Sequence, residues 1–289
     1  VSILMGFASE NFFSVGNIMN VLRQVSIVAI LAVGMTFVIL TGGIDLSVGA
    51  VMALSGTIAA GLMVNMGLPG WVGLLAGLSV GVGLGLFNGI MVAWGRMPAI
   101  IVTLATMGIA RGLGLLYSGG YPISGIPSWI SWFGIGRIGI VPVPVIAMVI
   151  IYALAWVLLQ RTPFGRHVYA IGGNELAAKL SGVKTQMVKL TVYGISGLTS
   201  ALAALILTGR LMSGQPNAGV GFELDAIAAV VLGGTAIAGG RGLILGTLIG
   251  AVLLGILNNG LNLMGINPYL QDVIKGLIIL LAIYIGREW

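Results

Sequence analysis

Nine apolar stretches, each close to the length needed to cross a bilayer, dominate this chain and leave few folds open to it. They fall at about 18–41, 46–66, 71–94, 99–118, 142–160, 188–210, 223–239, 242–264 and 269–286, broken by polar or Pro/Gly punctuation. A helix rises 1.5 Å per residue, so roughly 20 apolar residues span the hydrocarbon core. Inside that core the backbone must satisfy its own hydrogen bonds, which leaves helices or a closed barrel. Runs this long and this uniformly apolar predict helices, and hence an all-α polytopic membrane protein. Charge agrees: 58% of the residues are hydrophobic and 7% charged, against about 25% charged in a soluble domain. The 48 glycines are suited to close approach of helix backbones in lipid.

Residues 1–8 (VSILMGFA) are apolar but too short to cross, and are read as the end of a first span rather than a cleaved leader. That makes about ten transmembrane helices in one transmembrane domain, 1–289. The 223–239 run is short and glycine-rich, and the Gly42-Gly43 and Gly239-Gly240 junctions are tight. Broken or re-entrant helices are expected among these, tolerated where protein or a water-filled cavity covers the backbone.

Net charge is +6, but the basic residues are scattered rather than massed in a stripe, so a nucleic-acid partner is not expected. Lys and Arg favour the cytoplasmic side of a membrane. The longest hydrophilic connection, 160–189, carries Arg161, Arg166, Lys179, Lys184 and Lys189 against Glu175, which makes it cytoplasmic. Alternation from that anchor puts Arg96, Arg241 and Arg287 on the same side, and Arg23, Arg137 and Arg210 on the other. Both termini are then cytoplasmic and the 119–141 loop is external, with Trp129 and Trp132 either in an interfacial belt or on a docking surface.

No motif for chemistry is present. There is no cysteine, His167 is the only histidine, and the Gly233–Arg241 run lacks the lysine and hydroxyl of a phosphate loop. No cofactor, metal or catalytic residue is expected. If ATP drives the protein, another chain hydrolyses it.

Three groups of polar residues invite a functional reading. In 172–184, Asn174 suits an N-cap, Glu175 the positive helix end and Gly182 a left-handed stop. The resulting short helix carries Leu176 and Leu180 on one face with Val183 just beyond, an apolar ridge that either rests on headgroups or docks in a soluble partner. Charges in or beside spans (Asp45, Arg111, Glu223, Asp225, Asp272, Lys275) serve pairing or cargo; none is an acid near the middle of a span, which disfavours proton coupling. Asn258, Asn259 and Asn262 either bond between helices, for roughly 0.6 to 2 kcal/mol each, or line a path for hydroxyl-rich cargo. A G-G-x-x-L-x-x-G pattern recurs at 42–49 and 239–246.

The segments Val33-Gly34-Met35-Thr36 with Thr41-Gly42-Gly43-Ile44-Asp45-Leu46-Ser47-Val48-Gly49, Ile171-Gly172-Gly173-Asn174-Glu175 with Leu180-Ser181-Gly182, and Glu223 through Thr235 together resemble the ribose-type sugar ABC permeases, in order and over essentially the whole chain. The resemblance implies the fold of the vitamin B12 type (type II) importers, a homodimer in the bacterial inner membrane, a cytoplasmic ABC ATPase subunit and a periplasmic sugar-binding protein. It also implies that 172–184 is the coupling-helix region, with Asn174, Glu175, Leu176, Leu180 and Gly182 at the ATPase. Loops 119–141 and 211–222, the latter with Gln215, Pro216 and Asn217, would meet the binding protein. Ribose or a related pentose or hexose is the implied cargo, with the autoinducer-2 signal or nucleosides as alternatives; an ion-coupled carrier or channel is the reading from another class.

Overall fold

In a computed structural model that describes residues 14–286, all but one of the apolar runs become single long helices. They are α1 (Val15–Leu40), α2 (Val48–Val64), α3 (Gly70–Ala93), α4 (Ala99–Ser118), α6 (Val143–Arg161), α9 (Thr185–Leu211), α11 (Ile244–Leu263) and α12 (Pro268–Gly286). Shorter helices are α5 (Ser131–Ile135), α7 (Pro163–Gly173), α8 (Glu175–Leu180) and α10 (Phe222–Leu232). Among the described residues, six of them (α1, α3, α4, α6, α9 and α11) are long and apolar enough to cross a membrane; α2, at 17 residues, is a shorter apolar helix. Residues 1–13 and 287–289, with the expected first-span remnant and Arg287, lie outside the described residues.

The 223–239 run, counted among the spans but also flagged as a candidate for a broken or re-entrant helix, is not one long helix. It forms an 11-residue helix, α10, followed by a glycine turn, and at 1.5 Å per residue the helix covers about 16 Å, half a hydrocarbon core. Gly233 and Gly234 end it, with Gly234 at φ +83°.

Helix α1 is the axis. Ala29 through Leu40 are all buried, as expected of a helix apolar all round, and α9, α10, α11 and α6 pack against it. Helix α3 is the opposite kind. Its buried residues are Gly70, Gly73, Gly77, Gly81, Gly85, Asn88, Gly89 and Ala93, one stripe at helical spacing, while Trp71, Leu75, Phe87 and Ile90 face outward. Gly81 and Gly85 meet Gly197 of α9 backbone to backbone, the close approach that small residues allow in lipid.

At one end of the bundle, hereafter the basic end, lies the 161–185 connection. There the two recurrences of G-G-x-x-L-x-x-G face one another. The Gly240 N–H donates to Leu40 O at 3.0 Å, and Gly239 lies against Gly42 and Gly172. A Cβ at Gly172 would collide with Leu40 O and Gly240 N, so only glycine fits.

At the far end, β1 (Ile123–Ser124) pairs with β4 (Ser213–Gly214), and β2 (Arg137–Ile138) with β3 (Val141–Pro142), each antiparallel. From β4 the chain does not stay at the surface. Gly214 packs on Gly56 and Ala60 of α2, and Gly219 on Gly49, so 213–221 runs back along α2 into the bundle before α10 begins.

Candidate functional site

The basic end presents a rigid platform. Pro163 and the Thr162 hydroxyl, which accepts from Gly165 N at 3.3 Å, start α7. Val168 and Ile171 bury its apolar face. The Tyr169 hydroxyl donates to Gly242 O at 2.9 Å, and burial raises the phenol above its ordinary pKa, keeping that proton in place. Asn174 then caps α8 as its residue type predicts: its Oδ1 accepts from Ala177 N at 2.9 Å. Gly182, at φ +87°, ends the turn. Lys189 of α9 donates to Glu175 Oε2 at 2.7 Å and fixes α8 to the neighbouring helix.

What this platform displays is apolar. Ala178 faces inward, whereas Leu176 is 68% and Leu180 81% exposed. Val183, expected to extend the ridge, instead packs against the core, because the left-handed turn at Gly182 reverses the chain. Between α8 and the α3–α4 turn lies a groove of about 650 Å³, bordered by Arg96, Glu175, Lys179, Gln186 and Lys189.

Beneath the groove sits a polar hub that sequence reading left as an isolated acid. Asp45 is 2% exposed. Its Oδ1 accepts from Ser47 N at 3.0 Å and Ser47 Oγ at 2.6 Å, and its Oδ2 from Ser196 Oγ at 2.7 Å. Ser47 Oγ accepts in turn from Asn88 Nδ2 at 3.0 Å, and Asn88 Oδ1 from Thr106 Oγ1 at 2.6 Å. Every proton in the chain is directed toward the carboxylate. The α1–α2 junction, α3, α4 and α9 are thereby joined, as expected of a buried charge that must be hydrogen-bonded to be tolerated.

The 213–221 segment has its own anchor. Arg111 Nη1 of α4 donates to Pro216 O and Ala218 O, both at 2.8 Å. Gln215 Nε2 donates to Ser213 Oγ at 2.9 Å. Pro216 is buried, Gln215 half-buried and Asn217 exposed. The sequence flagged Arg111 as an in-span charge; its carbonyl partners lie more than a hundred residues away and carry no local signal.

The three asparagines separate. Asn259 and Asn17 of α1 exchange reciprocal amide hydrogen bonds at 3.0 Å. Asn262 Oδ1 accepts from Gln271 Nε2 of α12 at 2.9 Å. Asn258 Oδ1 is buried and accepts no hydrogen bond in the structure. Asn258 and Asn262, four residues apart on α11, border a cavity of about 270 Å³ in the far-end half of the bundle, with Gln24, Arg210, Asp225 and Lys275 also on its wall. Among the described residues no cluster suited to a metal ion is found.

Long apolar helices packed around a buried axis define a multi-pass membrane protein. Comparison gives the family. Residues 17–283 match the family described as branched-chain amino acid transport system / permease component, and the chain belongs to it. It is 51% identical to the ribose import permease protein of Bacillus subtilis (strain 168) over 288 residues, 99% of this chain and 89% of that one. Against the ribose import permease protein of Escherichia coli (strain K12) the identity is 50% over 284 residues, covering 97% and 88%. The D-allose transport system permease protein of the same strain is 38% identical over 288 residues, covering 99% and 88%.

Proposed function

We propose that this chain is the membrane-spanning permease subunit of an ABC importer that carries ribose, or a closely related pentose or hexose, across the bacterial inner membrane. The observation that carries the reading is identity of about one half, over nearly the full chain, to ribose import permeases of two distant bacteria; allose and fructose permeases lie further off, at 38% and 41%. The family description names branched-chain amino acids, so the cargo is argued from the relatives.

The working unit in this reading is a homodimer of the type II importer fold, with about ten spans per chain and both termini cytoplasmic. ATP is hydrolysed by a separate ATPase subunit, which docks on the coupling-helix region 172–184. Support for that dock is the exposed Leu176–Leu180 ridge on a helix capped by Asn174, closed by Gly182 and pinned through Glu175 to Lys189. ATP-driven closure moves the two α8 elements and shifts the dimer between outward and inward states, since a ligand moves an equilibrium only by differential affinity for its states. The far-end loops 119–141 and 211–222 receive the periplasmic binding protein; with Pro216 buried, Asn217 is the exposed member of that trio. Cargo passes Asn258 and Asn262, while Asn259 is tied to Asn17.

The test is uptake of radiolabelled ribose by vesicles holding the permease, its ATPase and its binding protein. Uptake that needs all three supports the importer. Uptake by the permease alone would replace it with an ion-coupled carrier or channel, and uptake only of autoinducer-2 or a nucleoside would keep the importer and change the cargo.

A further inference from the structure

We propose that the basic-end groove between α8 and the α3–α4 turn binds the phosphate-bearing headgroup of an anionic phospholipid, with Arg96 as its principal cation. The inference rests on the chain being a membrane protein and needs no assumption about its cargo. Three observations carry it.

The first is the level of the groove in the membrane. Helices α3 and α4 are each long and apolar enough to cross, and the groove opens where one ends at Ala93 and the next begins at Ala99. A short turn between two spans lies at the membrane surface, where headgroups are. Trp94 and Met97 on this turn are exposed, and tryptophan is enriched at that level. Ile100 and Ile101, exposed in the first turn of α4, offer apolar surface to the chains of a lipid.

The second is charge. Arg96, Lys179 and Lys189 reach the groove from three separate elements, against Glu175 alone. Lys189 is spent on Glu175 at 2.7 Å, whereas Arg96 and Lys179 form no ion pair among the described residues. The surplus is positive and selects an anion. Arginine presents a planar fork of donors that matches a phosphate, and basic pockets between spans are suited to anionic headgroups. The exposed amide of Gln186, also on the wall, both donates and accepts, as a headgroup hydroxyl requires.

The third is backbone conformation. Arg96 sits at φ +52°, and among the described residues only Met212 shares a left-handed backbone without being glycine. Gly95 precedes it and would adopt that conformation at no steric cost, yet the turn gives it to the arginine. Strain of this kind gathers at ligand-binding positions. One wall of the groove is α8 and another the α3–α4 turn, so a bound headgroup ties the two together and favours the arrangement in which the groove is open.

The test titrates the purified permease in detergent with a short-chain phosphatidylglycerol, the phosphatidylcholine of the same chain length, and glycerol 3-phosphate, and counts bound molecules by native mass spectrometry. The expected result is saturable binding of one phosphatidylglycerol per chain, tighter than either of the others. Arg96→Gly should weaken it about tenfold, the loss of a charged hydrogen bond, while melting at the same temperature or higher, because glycine suits the left-handed backbone. Arg96→Lys should keep most of the binding. Arg166→Gln removes an exposed cation at the same end but outside the groove and should leave binding unchanged. Equal binding of the two lipids, or equal loss in Arg96→Gly and Arg166→Gln, would reduce the effect to general attraction at the basic end and overturn the site. Glycerol 3-phosphate bound as tightly as the lipid would overturn the lipid as occupant. An Arg96→Gly permease that binds lipid normally but no longer copurifies with the ATPase would make the groove a protein contact and overturn it too.

Discussion

Two segments that lie between long helices, 172–184 at the basic end and 213–221 at the far end, treat their side chains in opposite ways. The first completes its polar contacts at the surface, one within itself (Ala177 N to Asn174) and one with the adjoining α9 (Lys189 to Glu175), and holds two leucines away from the protein. The second is drawn inward: Arg111 holds two of its carbonyls and Gly219 lies on Gly49. Backbone taken into the bundle must be hydrogen-bonded there, so the far-end segment is bound by its own chain. The basic-end segment is a finished local structure whose apolar surface is left for something else. Substitutions in 213–221 should therefore damage the isolated permease, and those on the ridge should damage only its assembly.

The largest effect on the permease itself is expected for Arg111→Met. It removes two charge-assisted hydrogen bonds, for a loss of about 3 kcal/mol, visible as a lower melting temperature of the purified chain in detergent. Gly219→Val comes next. Gly219 sits at φ +71° and a Cβ there approaches Met52 and Gly49 O, so a β-branched residue should cost about 2 kcal/mol by the same assay. Asn174→Ala removes the α8 cap and should cost about 1 kcal/mol, read best as faster local amide exchange over 175–180. Glu175→Gln breaks an ion pair whose acid is 48% exposed, for about 0.5 kcal/mol that disappears in high salt. Leu180→Asp should change the permease's own stability by less than about 0.5 kcal/mol, yet abolish copurification of the ATPase by placing an unpaired charge in the interface. If Leu180→Asp destabilises the isolated chain while the ATPase stays bound, the contrast between the two segments collapses.

The recurrent glycine pattern makes a related point. Gly42 and Gly239 come from the two copies and meet at the basic end, but the copies diverge at their polar residues. The first places Asp45 in a buried network reaching Ser196 and Thr106. The second has no acid; there Gly240 N donates to Leu40 O and Gly242 O accepts from the Tyr169 hydroxyl. The pattern was legible as a repeat of junctions. That the junctions touch was not, because glycine spacing records the need for close approach without naming the surface approached.

Much of the far-end site was similarly half visible. Asn258, Asn259 and Asn262 stand out in an apolar run, and their i, i+4 relation puts Asn258 and Asn262 on one face. Which of them is spent on helix packing depends on Asn17, 242 residues from Asn259, and on Gln271. Gln24 and Arg210, on the cavity wall, gave no sign of convergence, since they stand on helices far apart in sequence.

By itself the sequence determined what is governed by local rules. Hydropathy over about 20 residues set the spans, and capping chemistry set α8 from Asn174 to Gly182. Only the tertiary structure decided that α10 is a half-length helix, that 213–221 turns inward, that Val183 leaves the ridge, and that Asp45, Arg111 and Asn259 find their particular partners. The reason is physical. Apolar burial in a membrane is indifferent to which neighbour supplies it, but a buried polar group is satisfied only by a specific atom at hydrogen-bonding distance. That atom belongs to whichever distant segment the packing of small residues brings close.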